Sequence, residues 1–393
     1  RDPSYLAQLR SALTGRADQW SLEFVSDGDA ALAAFEARPI DVAVVESRLR
    51  RGDGTELLVA IHAGWPSVVR IVLTDDSATS ESLHSLPFTH QPVPRSAGPA
   101  VLIDTIDRAS NLFAFLWNEA IGATVREIGS LPPMPRSYAA LTKAIAADAS
   151  LKEFARLIER DPAICAKVLQ VANSPAFRRS GRVAEVATAA SLLGLSVFRT
   201  LVLSAEVFQS IKTPVIPGFS EKINQEHAIL TASIAKRLVT DRALADDAFS
   251  AGLLHDIGKL VLAAKFPRPF ARAIERARRD PRPICEHEAE AVGADHAQIG
   301  AYLLSLWGLP DDILRAIAFH HCPSKLAPPR LDLLGVVHLA DVLAHEQGDG
   351  AATPLPEKPR WLEDGFVAAL GMTERMPEWR KMAAAEAENV TNS

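Results

Sequence analysis

Along the first hundred residues, apolar positions alternate between strand-like runs and helix-like spacing. Residues 40–45 form a mostly β-branched run, as expected for a strand buried in a parallel sheet, and residues 68–74 form another. Residues 22–25 are a shorter strand candidate, while residues 5–13 and 30–35 carry apolar side chains at helical intervals. This alternation predicts an α/β sheet with helices on both faces.

After residue 100 the pattern is helical. Residues 85–99 are rich in Pro and Ser and predict a loop, which a long apolar helix at 101–117 follows. A proline-rich break covers residues 131–135, and beyond it the apolar stripes have helical period. Asp161 and Pro162 predict a helix start, with an acidic N-cap and proline in the first turn. The pattern therefore predicts an all-α bundle after the α/β part.

Composition narrows the class of protein. The 393 residues are 48% hydrophobic and 23% charged, a folded balance, and their number predicts two or three domains. The net charge of −6 gives no electrostatic reason to expect DNA binding. Three separated cysteines without CxxC spacing favour a reducing compartment, and the sequence shows neither a signal-peptide layout nor a long apolar run. We therefore expect a cytoplasmic protein that binds neither DNA nor membranes.

A charged triplet interrupts an apolar run at residues 250–260. His255, Asp256 and Lys259 lie there, and burying such groups is costly unless something compensates. A divalent cation is the most direct compensation, because neutral imidazole and carboxylate both ligate it. Eight of the eleven histidines lie after residue 226. The further ligand candidates in this region are His227, His296, His320, His321 and Asp341.

The apolar runs of the first hundred residues, with a Gly-Asp-Gly turn at 52–54, resemble the flavodoxin-like receiver domain of two-component response regulators. Glu46 stands where that family has a phosphorylatable Asp, Gln91 replaces a Lys, and Thr74 matches the switch hydroxyl. Since the sequence begins at Arg1, the first strand and its magnesium-binding acids are expected to be missing or cut short. The resemblance implies a pseudo-receiver that does not accept phosphate. Glu46 is then either a solvated carboxylate or a fixed negative charge that imitates the phosphorylated state.

Ordered landmarks between residues 125 and 345 resemble the HDOD family, an all-helical offshoot of the HD phosphohydrolase superfamily that is often fused to receivers. These landmarks are Leu131-Pro132, Asp161-Pro162, Ala172-Asn173-Ser174-Pro175-Ala176-Phe177, Leu193-Gly194, Leu254-His255-Asp256-Ile257-Gly258-Lys259-Leu260, Gly293-Ala294-Asp295-His296 and Leu306-Trp307-Gly308-Leu309-Pro310. HD enzymes carry metal ligands in the order His, His-Asp and a distant Asp. The resemblance therefore implies the set His227, His255, Asp256 and Asp341. Relatives with two metals add histidines, and the matching positions are His296, His320 and His321.

Oxygen and imidazole donors suit Mn, Fe, Mg or Zn, so the ligand set implies one or two divalent ions. Two neighbouring ions activate a water and clamp a phosphoester, and the implied reaction is phosphodiester hydrolysis. Asp256 would serve catalysis, and Lys259, one turn after His255, would be the cation that faces the phosphate. Cyclic-di-GMP phosphodiesterases of the superfamily follow their histidine pair with Glu and a Gly-Tyr-Pro loop. This sequence lacks both after His321, so we do not expect that substrate.

Each ligand candidate also has a purely structural interpretation, which the sequence leaves open. His227 could donate a hydrogen bond between helices, and His296 could belong to a helix cap. His255 and Asp256 could form a buried neutral pair. Because neighbouring residues of a helix diverge by about 100°, these last two side chains are expected to point apart, although a carboxylate can still lean between two neighbouring cations.

The same divergence applies to the other histidine pair. At least one of His320 and His321 is expected to face away from any shared point and to be structural. The remaining histidines of this half, His287, His338 and His345, are expected at the surface or behind the metal ligands.

The predicted architecture is multidomain, an α/β domain followed by an all-α domain. Its parts are a pseudo-receiver at 1–100, a connector helix at 101–124, the HDOD domain at 125–350, and a tail at 351–393 with short helices at 361–370 and 378–387. The leading hypothesis is a bacterial signal-transduction protein whose HDOD domain regulates by contact with other signalling proteins. The alternatives are a metal-dependent phosphohydrolase acting on a nucleotide or phosphodiester, and a nucleotide sensor without catalysis. The sequence leaves open whether the chain forms a homodimer.

Overall fold

The computed structural model describes most of the chain. The described residues are 3–16, 19–46, 54–65, 68–74, 91–116, 119–128, 135–146, 149–159, 161–174, 176–177, 183–280, 282–326, 330–348 and 364–391. They fall into two compact units, Arg1–Met134 with Leu303–Leu309, and Pro135–Tyr302 with Pro310–Ser393. This division into two units does not test the domain boundaries predicted at residues 100, 124 and 350, which stay predictions.

The first unit contains a small parallel sheet with helices. Its described strands lie in the order β1-β2-β3, with Val44 opposite Ile71 and Ile71 opposite Gln91. The elements are α1 (Pro3–Thr14), α2 (Gly28–Ala37), β1 (Val42–Glu46), α3 (Gly54–Gly64), β2 (Val69–Thr74), β3 (Gln91–Pro94), a 3₁₀ turn (Arg95–Ala97), α4 (Gly98–Leu116) and α5 (Glu119–Ile128). The parallel sheet agrees with the predicted α/β class, whereas the flavodoxin-like receiver assignment stays a prediction.

The core of this unit explains why β2 is so apolar. β2 lies between the other two strands, and its residues up to Leu73 are buried. A central strand of a parallel sheet is covered on both faces, which selects a continuous apolar run. Phe35 of α2 packs on Trp65, with ring centroids 5.0 Å apart, beside the buried Leu58 and Ile61 of α3.

Two predictions in this unit are wrong. Residues 22–25 pair with no described strand, and Phe24 and Val25 are 41% and 44% exposed. The guanidinium of Arg10 on α1 lies 4.8 Å from the Phe24 ring centroid, so a cation of this helix partly covers the Phe24 side chain instead of a neighbouring strand. Within the predicted loop at 85–99, residues 91–94 form β3. Its prolines are tolerated because β3 is an edge strand of the described sheet and needs fewer N–H donors.

The predicted connector helix at 101–124 corresponds to α4 and α5. The first begins earlier than predicted, at Gly98, and residues 117–118 between them lie outside the described residues. Arg16, just after α1, donates to Asp107 of α4 over 2.7 Å. This ion pair holds α1 against α4 within the first unit.

The described residues of the second unit form helices joined by turns and loops, in agreement with the predicted all-α domain. The helices that begin in it are α6 (Arg136–Ala146), α7 (Leu151–Ile158), α8 (Pro162–Ala172), α9 (Val186–Leu193), α10 (Leu195–Ser210), α11 (Glu221–Leu238), α12 (Arg242–Leu254), α13 (Ile257–Lys265), α14 (Pro267–Ala277), α15 (Ile284–Val292), α16 (His296–Leu306), α17 (Asp311–Phe319), α18 (Leu333–Glu346), α19 (Asp364–Ala369) and α20 (Met376–Thr391), with 3₁₀ turns at Pro323–Lys325 and Thr373–Arg375.

Local sequence signals fix several of these helix ends. The Asp161 carboxylate accepts a hydrogen bond from the Ile164 amide at 3.1 Å, which confirms the predicted N-cap of α8. At the other end, the Asn173 side chain donates to the Leu169 carbonyl and exchanges two 2.8 Å hydrogen bonds with the backbone of Val183. Asn173 therefore ends α8 and also fixes the segment that leads into α9.

Helices α11, α12 and α18 form the centre of the bundle. Helix α11 packs on both others, and a Cβ built on Gly252 of α12 would lie 3.0 Å from the Ala232 Cα of α11. The missing side chain thus lets two backbones approach closely. Asp332 caps α18 by accepting from the Gly335 amide at 3.1 Å. These three helices bring their polar residues to one place in the interior.

The last helix packs on this centre. Arg380 of α20 donates to both carboxylate oxygens of Glu346 at 2.8 and 2.9 Å, and the buried Glu386 pairs with Arg237 of α11. The predicted tail helices correspond to α19 and α20, and residues 361–363 lie outside the described residues. Within the described part, no single helix has the length and hydropathy of a membrane span, and α9 and α10 reach them only together, across a 119° bend.

Candidate metal centre

His255 and Asp256 lie at a junction between two helices. Helix α12 ends at Leu254 and α13 begins at Ile257, and Asp256 between them has φ −99° and ψ 6°. The expected divergence of the two side chains holds only within a continuous helix. Because the backbone turns at Asp256, both side chains face the same buried cluster, and the prediction that they point apart is wrong.

The hydrogen bonding of His255 leaves one ring nitrogen for a ligand. Its Nδ1 lies 2.7 Å from the Gly252 carbonyl oxygen, which can only accept, so Nδ1 carries the proton and donates it. The lone pair of Nε2 then faces Asp341 Oδ1 at 3.3 Å and Asp256 Oδ2 at 3.5 Å. An imidazole lone pair pointing at two carboxylate oxygens is unfavourable unless a cation lies among them.

His227 and Asp341 complete this group from two other helices. His227 of α11 brings Nε2 to 2.9 Å from Oδ1 of Asp341 on α18, and to 4.0 Å from Asp256 Oδ2. All these side chains are at most 4% exposed. The sequence-predicted set of His227, His255, Asp256 and Asp341 therefore lies within one small volume.

His296 joins the cluster from the start of α16. Its Nε2 lies 3.1 Å from Asp256 Oδ1, while Glu288 Oε2 accepts from both its backbone amide at 2.9 Å and its Nδ1 at 2.5 Å. A Cβ on Gly258 would lie 1.9 Å from the His296 carbonyl oxygen, so only glycine allows α13 and α16 this close. His296 is thus placed by a carboxylate on one side and by a glycine contact on the other.

Both His320 and His321 reach the cluster. His321 Nε2 lies 2.9 Å from His296 Nε2, and the His320 and His321 ring centroids are 3.8 Å apart. His320 donates from Nδ1 to the Ile317 carbonyl at 2.7 Å, which leaves its Nε2 without a hydrogen-bond partner among the described residues. The expectation that one of the pair faces away is wrong, because α17 ends at Phe319 and the chain turns between the two residues.

Lys259 extends the cluster on its more exposed side. Its Nζ lies 2.5 Å from Asp256 Oδ2, and its side chain is 13% exposed. In this structure the ammonium group pairs with Asp256, so its role as a phosphate-facing cation stays a prediction.

The two central carboxylates are held ionised. Burial raises the pKa of Asp256, but the neighbouring His255 and Lys259 outweigh burial and hold that pKa well below its ordinary value. The pKa of Asp341 is also well below its ordinary value, because the neighbouring imidazoles of His345, His227 and His255 outweigh burial. Both groups are therefore anionic ligands at neutral pH.

The imidazoles divide into two kinds. Burial, and then the neighbouring His255, lower the pKa of His320 well below its ordinary value, and burial with His320 does the same for His321. Both rings are neutral at pH 7 and can ligate a metal. Burial also lowers the pKa of His296, but Glu288 and Asp256 raise it to about 10, since this ring lies between two carboxylates.

Groups of three ligand atoms within 4.8 Å of one another define where an ion fits. Four such groups occur among the described residues: His227-His255-Asp256, His227-Asp341-His345, His255-His320-Asp341 and His296-His320-His321. Imidazole and carboxylate donors of this kind suit a transition-metal ion or Mg²⁺. The facing lone pairs and the unpartnered His320 nitrogen show that the donor set fits one or two divalent cations.

Three further polar residues lie at the cluster: His338 and His345 were expected at the surface or behind the metal ligands, whereas Glu288 was not predicted. His345 lies one turn after Asp341 on α18, with Nε2 3.4 Å from Asp341 Oδ1, a spacing that was readable as i, i+4 on a helix. Glu288 of α15 holds His296, and nothing in the charge-rich sequence of that helix indicates this role. His338 donates from Nδ1 to the His320 carbonyl at 2.6 Å, as expected for a residue behind the ligands.

Glu46, Thr74 and Gln91, the positions that match functional residues of receivers, lie in the first unit but not all at the same edge of its sheet. Glu46 ends β1 and pairs with Arg95 at 2.7 Å, and Thr74 ends β2 at the same edge of the sheet. Gln91 lies at the start of β3, opposite Ile71, and therefore toward the other edge. The cation beside Glu46 is Arg95, which sequence reasoning did not select.

Comparison with known proteins identifies a domain in the helical part of the chain. Residues 131–323 match the sequence model of the HDOD domain. The chain contains an HDOD domain. The match ends at the 3₁₀ turn after His320 and His321, so the helix that carries Asp341 and His345 lies beyond it.

The chain is also similar to curated proteins over part of its length. It is 29% identical to an uncharacterized protein of Treponema pallidum (strain Nichols) over 250 residues, 61% of this chain and 46% of that protein. The chain thus spans less than half the length of the curated relatives it matches.

Two solved structures are also similar to it. A candidate phosphohydrolase of Shewanella amazonensis SB2B has a TM-score of 0.50 and 26% identity, covering 70% of this chain and 99% of that one. A candidate signal transduction protein of Marinobacter aquaeolei VT8 has a TM-score of 0.52 and 18% identity, covering 92% and 86%. The second similarity concerns the fold alone.

Proposed function

We propose that the HDOD domain of this chain binds a divalent metal at its His–Asp cluster and hydrolyses a phosphoester, within a signal-transduction protein. The observation that carries the proposal is the convergence of one group from two helices and a helix junction, with ligand atoms 2.9–4.0 Å apart. The group is His227, His255, Asp256 and Asp341. The 26% identity to a candidate phosphohydrolase supports the same reaction class.

The residues divide naturally between two ions. One would be held by His227, His255, Asp256 and Asp341, and the other by His296, His320, His321 and the second oxygen of Asp256. When bound, such ions supply Lewis acidity to a phosphoester and lower the pKa of a water molecule. Mn, Fe, Mg and Zn all accept oxygen and imidazole ligands, so the donor set alone does not choose among them.

The chain's own residues would prepare this site. Asp256 directs Oδ1 to His296 and Oδ2 to His255, which places one carboxylate between the two groups of ligands. Glu288 orients His296 through Nδ1 and so aims Nε2 at the cluster. Lys259 is the most exposed side chain beside Asp256, and a phosphoester that approached there would take its ammonium group as a partner.

A turnover assay tests the proposal. The full chain, supplemented with Mn²⁺, should hydrolyse the generic phosphodiester bis(4-nitrophenyl) phosphate, and Asp256→Asn should reduce the rate to background. Asp29→Asn is the matched control, because Asp29 is an exposed acid in the first unit. Equal rates in the wild type and in Asp256→Asn would assign the turnover to a contaminant and would contradict the proposal.

A second candidate function is regulation by contact with other signalling proteins. It is favoured by the burial of the site, which leaves its side chains little exposed to a substrate. The ligand-type side chains, including His345, are at most 10% exposed, and Lys259 already has a partner in Asp256. In that case the metal would stabilise a surface to which a partner protein binds. A protein with full metal content and no turnover above that of Asp256→Asn would support this function.

A further inference from the structure

A second polar site lies on the helical hairpin of α14 and α15. A cavity of about 520 Å³ opens there, and its described lining consists of charged side chains and one histidine. The arginines are Arg272, Arg276, Arg279 and Arg282, and the histidine is His287. The lining contains no Phe, Tyr or Trp among the described residues. A cavity of this size lies within the range of small-molecule sites.

His287 is the buried group of this cavity. It is 1% exposed, and neither of its ring nitrogens has a hydrogen-bond partner among the described residues. The nearest carboxylate, Asp280, has Oδ2 3.9 Å from His287 Nε2, which is too far for a hydrogen bond. A buried donor without a partner is costly, and a ligand oxygen in the cavity would remove that cost.

The charges of the cavity favour an anion over a cation. The acids Asp280 and Glu290 are both engaged by Arg282, at 2.9 and 2.5 Å. Glu275 pairs with Arg279 at 2.8 Å. Carboxylates already paired with guanidinium groups are poor metal ligands.

Arg272 supplies the free cation. It is exposed and has no ion-pair partner among the described residues, and Arg276, one turn later on α14, has only a 3.7 Å contact to Glu290. Four arginines against three acids leave the lining with one net positive charge. Two weakly engaged guanidinium groups at i, i+4 suit a phosphate, which accepts paired N–H donors.

We propose that this cavity binds a small polar phosphomonoester of the sugar-phosphate class. The phosphate would lie on Arg272 and Arg276 with His287 as a further donor, and sugar hydroxyls would donate to Glu275 and Glu290. A nucleobase would find no aromatic ring to stack on in this lining, which favours a sugar over a nucleoside. The cavity lining shares no residue with the His–Asp cluster, although Glu288, next to His287, contacts His296 of that cluster.

Calorimetric titration of the chelator-treated full chain tests this proposal independently of metal binding and turnover. Glucose 6-phosphate is the probe, with glucose and inorganic phosphate as comparison ligands. We expect one molecule of glucose 6-phosphate per chain, weaker binding of phosphate, and none of glucose. The double substitution Arg272→Gln with Arg276→Gln should raise Kd at least about tenfold.

Two further variants complete the test. Arg242→Gln is the matched control, since Arg242 is an exposed arginine on another helix and should leave Kd unchanged. His287→Leu should also weaken binding, with circular dichroism to confirm the helical content. The proposal is overturned if glucose 6-phosphate shows no binding up to about 10 mM or if the double variant binds like the wild type. Equal affinity for inorganic phosphate and glucose 6-phosphate would overturn the claim that the cavity recognises the sugar.

Discussion

Replacing Gly258 by alanine tests most directly how the His–Asp cluster is assembled. The added Cβ would lie 1.9 Å from the His296 carbonyl oxygen and 2.8 Å from the Gly300 amide nitrogen. The first separation is about 1.5 Å short of the 3.4 Å at which ordinary contact begins, and both neighbours are backbone atoms that no side-chain rotation can move. Helix α16 must therefore shift away from α13.

The size of that shift sets the expected effects. Overpacking of this kind costs about 3 kcal/mol, which lowers the Tm of a unit of this size by roughly 6–12 °C. A metal ligand tolerates displacement of only about 0.2 Å, so moving His296 by more than that should also lower metal affinity. Asp256 Oδ1, now 3.1 Å from His296 Nε2, loses its partner in the same movement.

Thermal unfolding followed by near-ultraviolet circular dichroism, together with metal content after dialysis, measures both effects. Gly64→Ala is the matched control, because a Cβ there meets nothing within 4 Å at the exposed end of α3. It should leave Tm and metal content unchanged. A Gly258→Ala protein with wild-type Tm and wild-type metal content would refute the close approach of α13 and α16.

Three further predictions concern single features. Glu288→Gln removes the charge that orients His296 and should weaken metal binding by about 10–100-fold, measured by competition with a chelating dye, with little loss of helical content by circular dichroism. In metal-free protein, the folded state holds the pKa values of His320 and His321 well below 6.5, so the unfolded chain takes up protons first as the pH falls. The free energy of unfolding, measured with urea, should therefore decrease below about pH 6.5. A constant free energy of unfolding from pH 7 to pH 5 would contradict this. Treatment with acetyl phosphate should leave Glu46 without an acid-labile phosphoryl group, detectable by mass spectrometry.

The set of candidate metal ligands was predictable because the types of these residues and their order along the sequence are enough to identify them. His, His-Asp and Asp in sequence, inside apolar helices, leave few ways to bury their charge other than around a cation. The strand at 69–74 was readable for a related reason, since a central parallel strand selects an unbroken apolar run.

Details that depend on where helices stop were not predictable. The sequence around residues 250–260 has a continuous apolar pattern, so nothing in it shows that α12 ends before His255 and turns at Asp256. The same holds for the end of α17 before His320. Glu288 gains its role from packing against a helix that follows a turn, and Arg95 approaches Glu46 only because β3 forms from a proline-rich segment that composition alone assigns to a loop.

Elemental analysis of the purified full chain tests the central claim most directly, since everything proposed for the cluster requires a bound ion. After supplementation with Mn²⁺ or Zn²⁺ and dialysis, the wild type and the Asp29→Asn control should retain one to two metal ions per chain, and Asp341→Asn should retain clearly fewer. Metal content near zero in the wild type, or equal content in Asp341→Asn, would contradict the account.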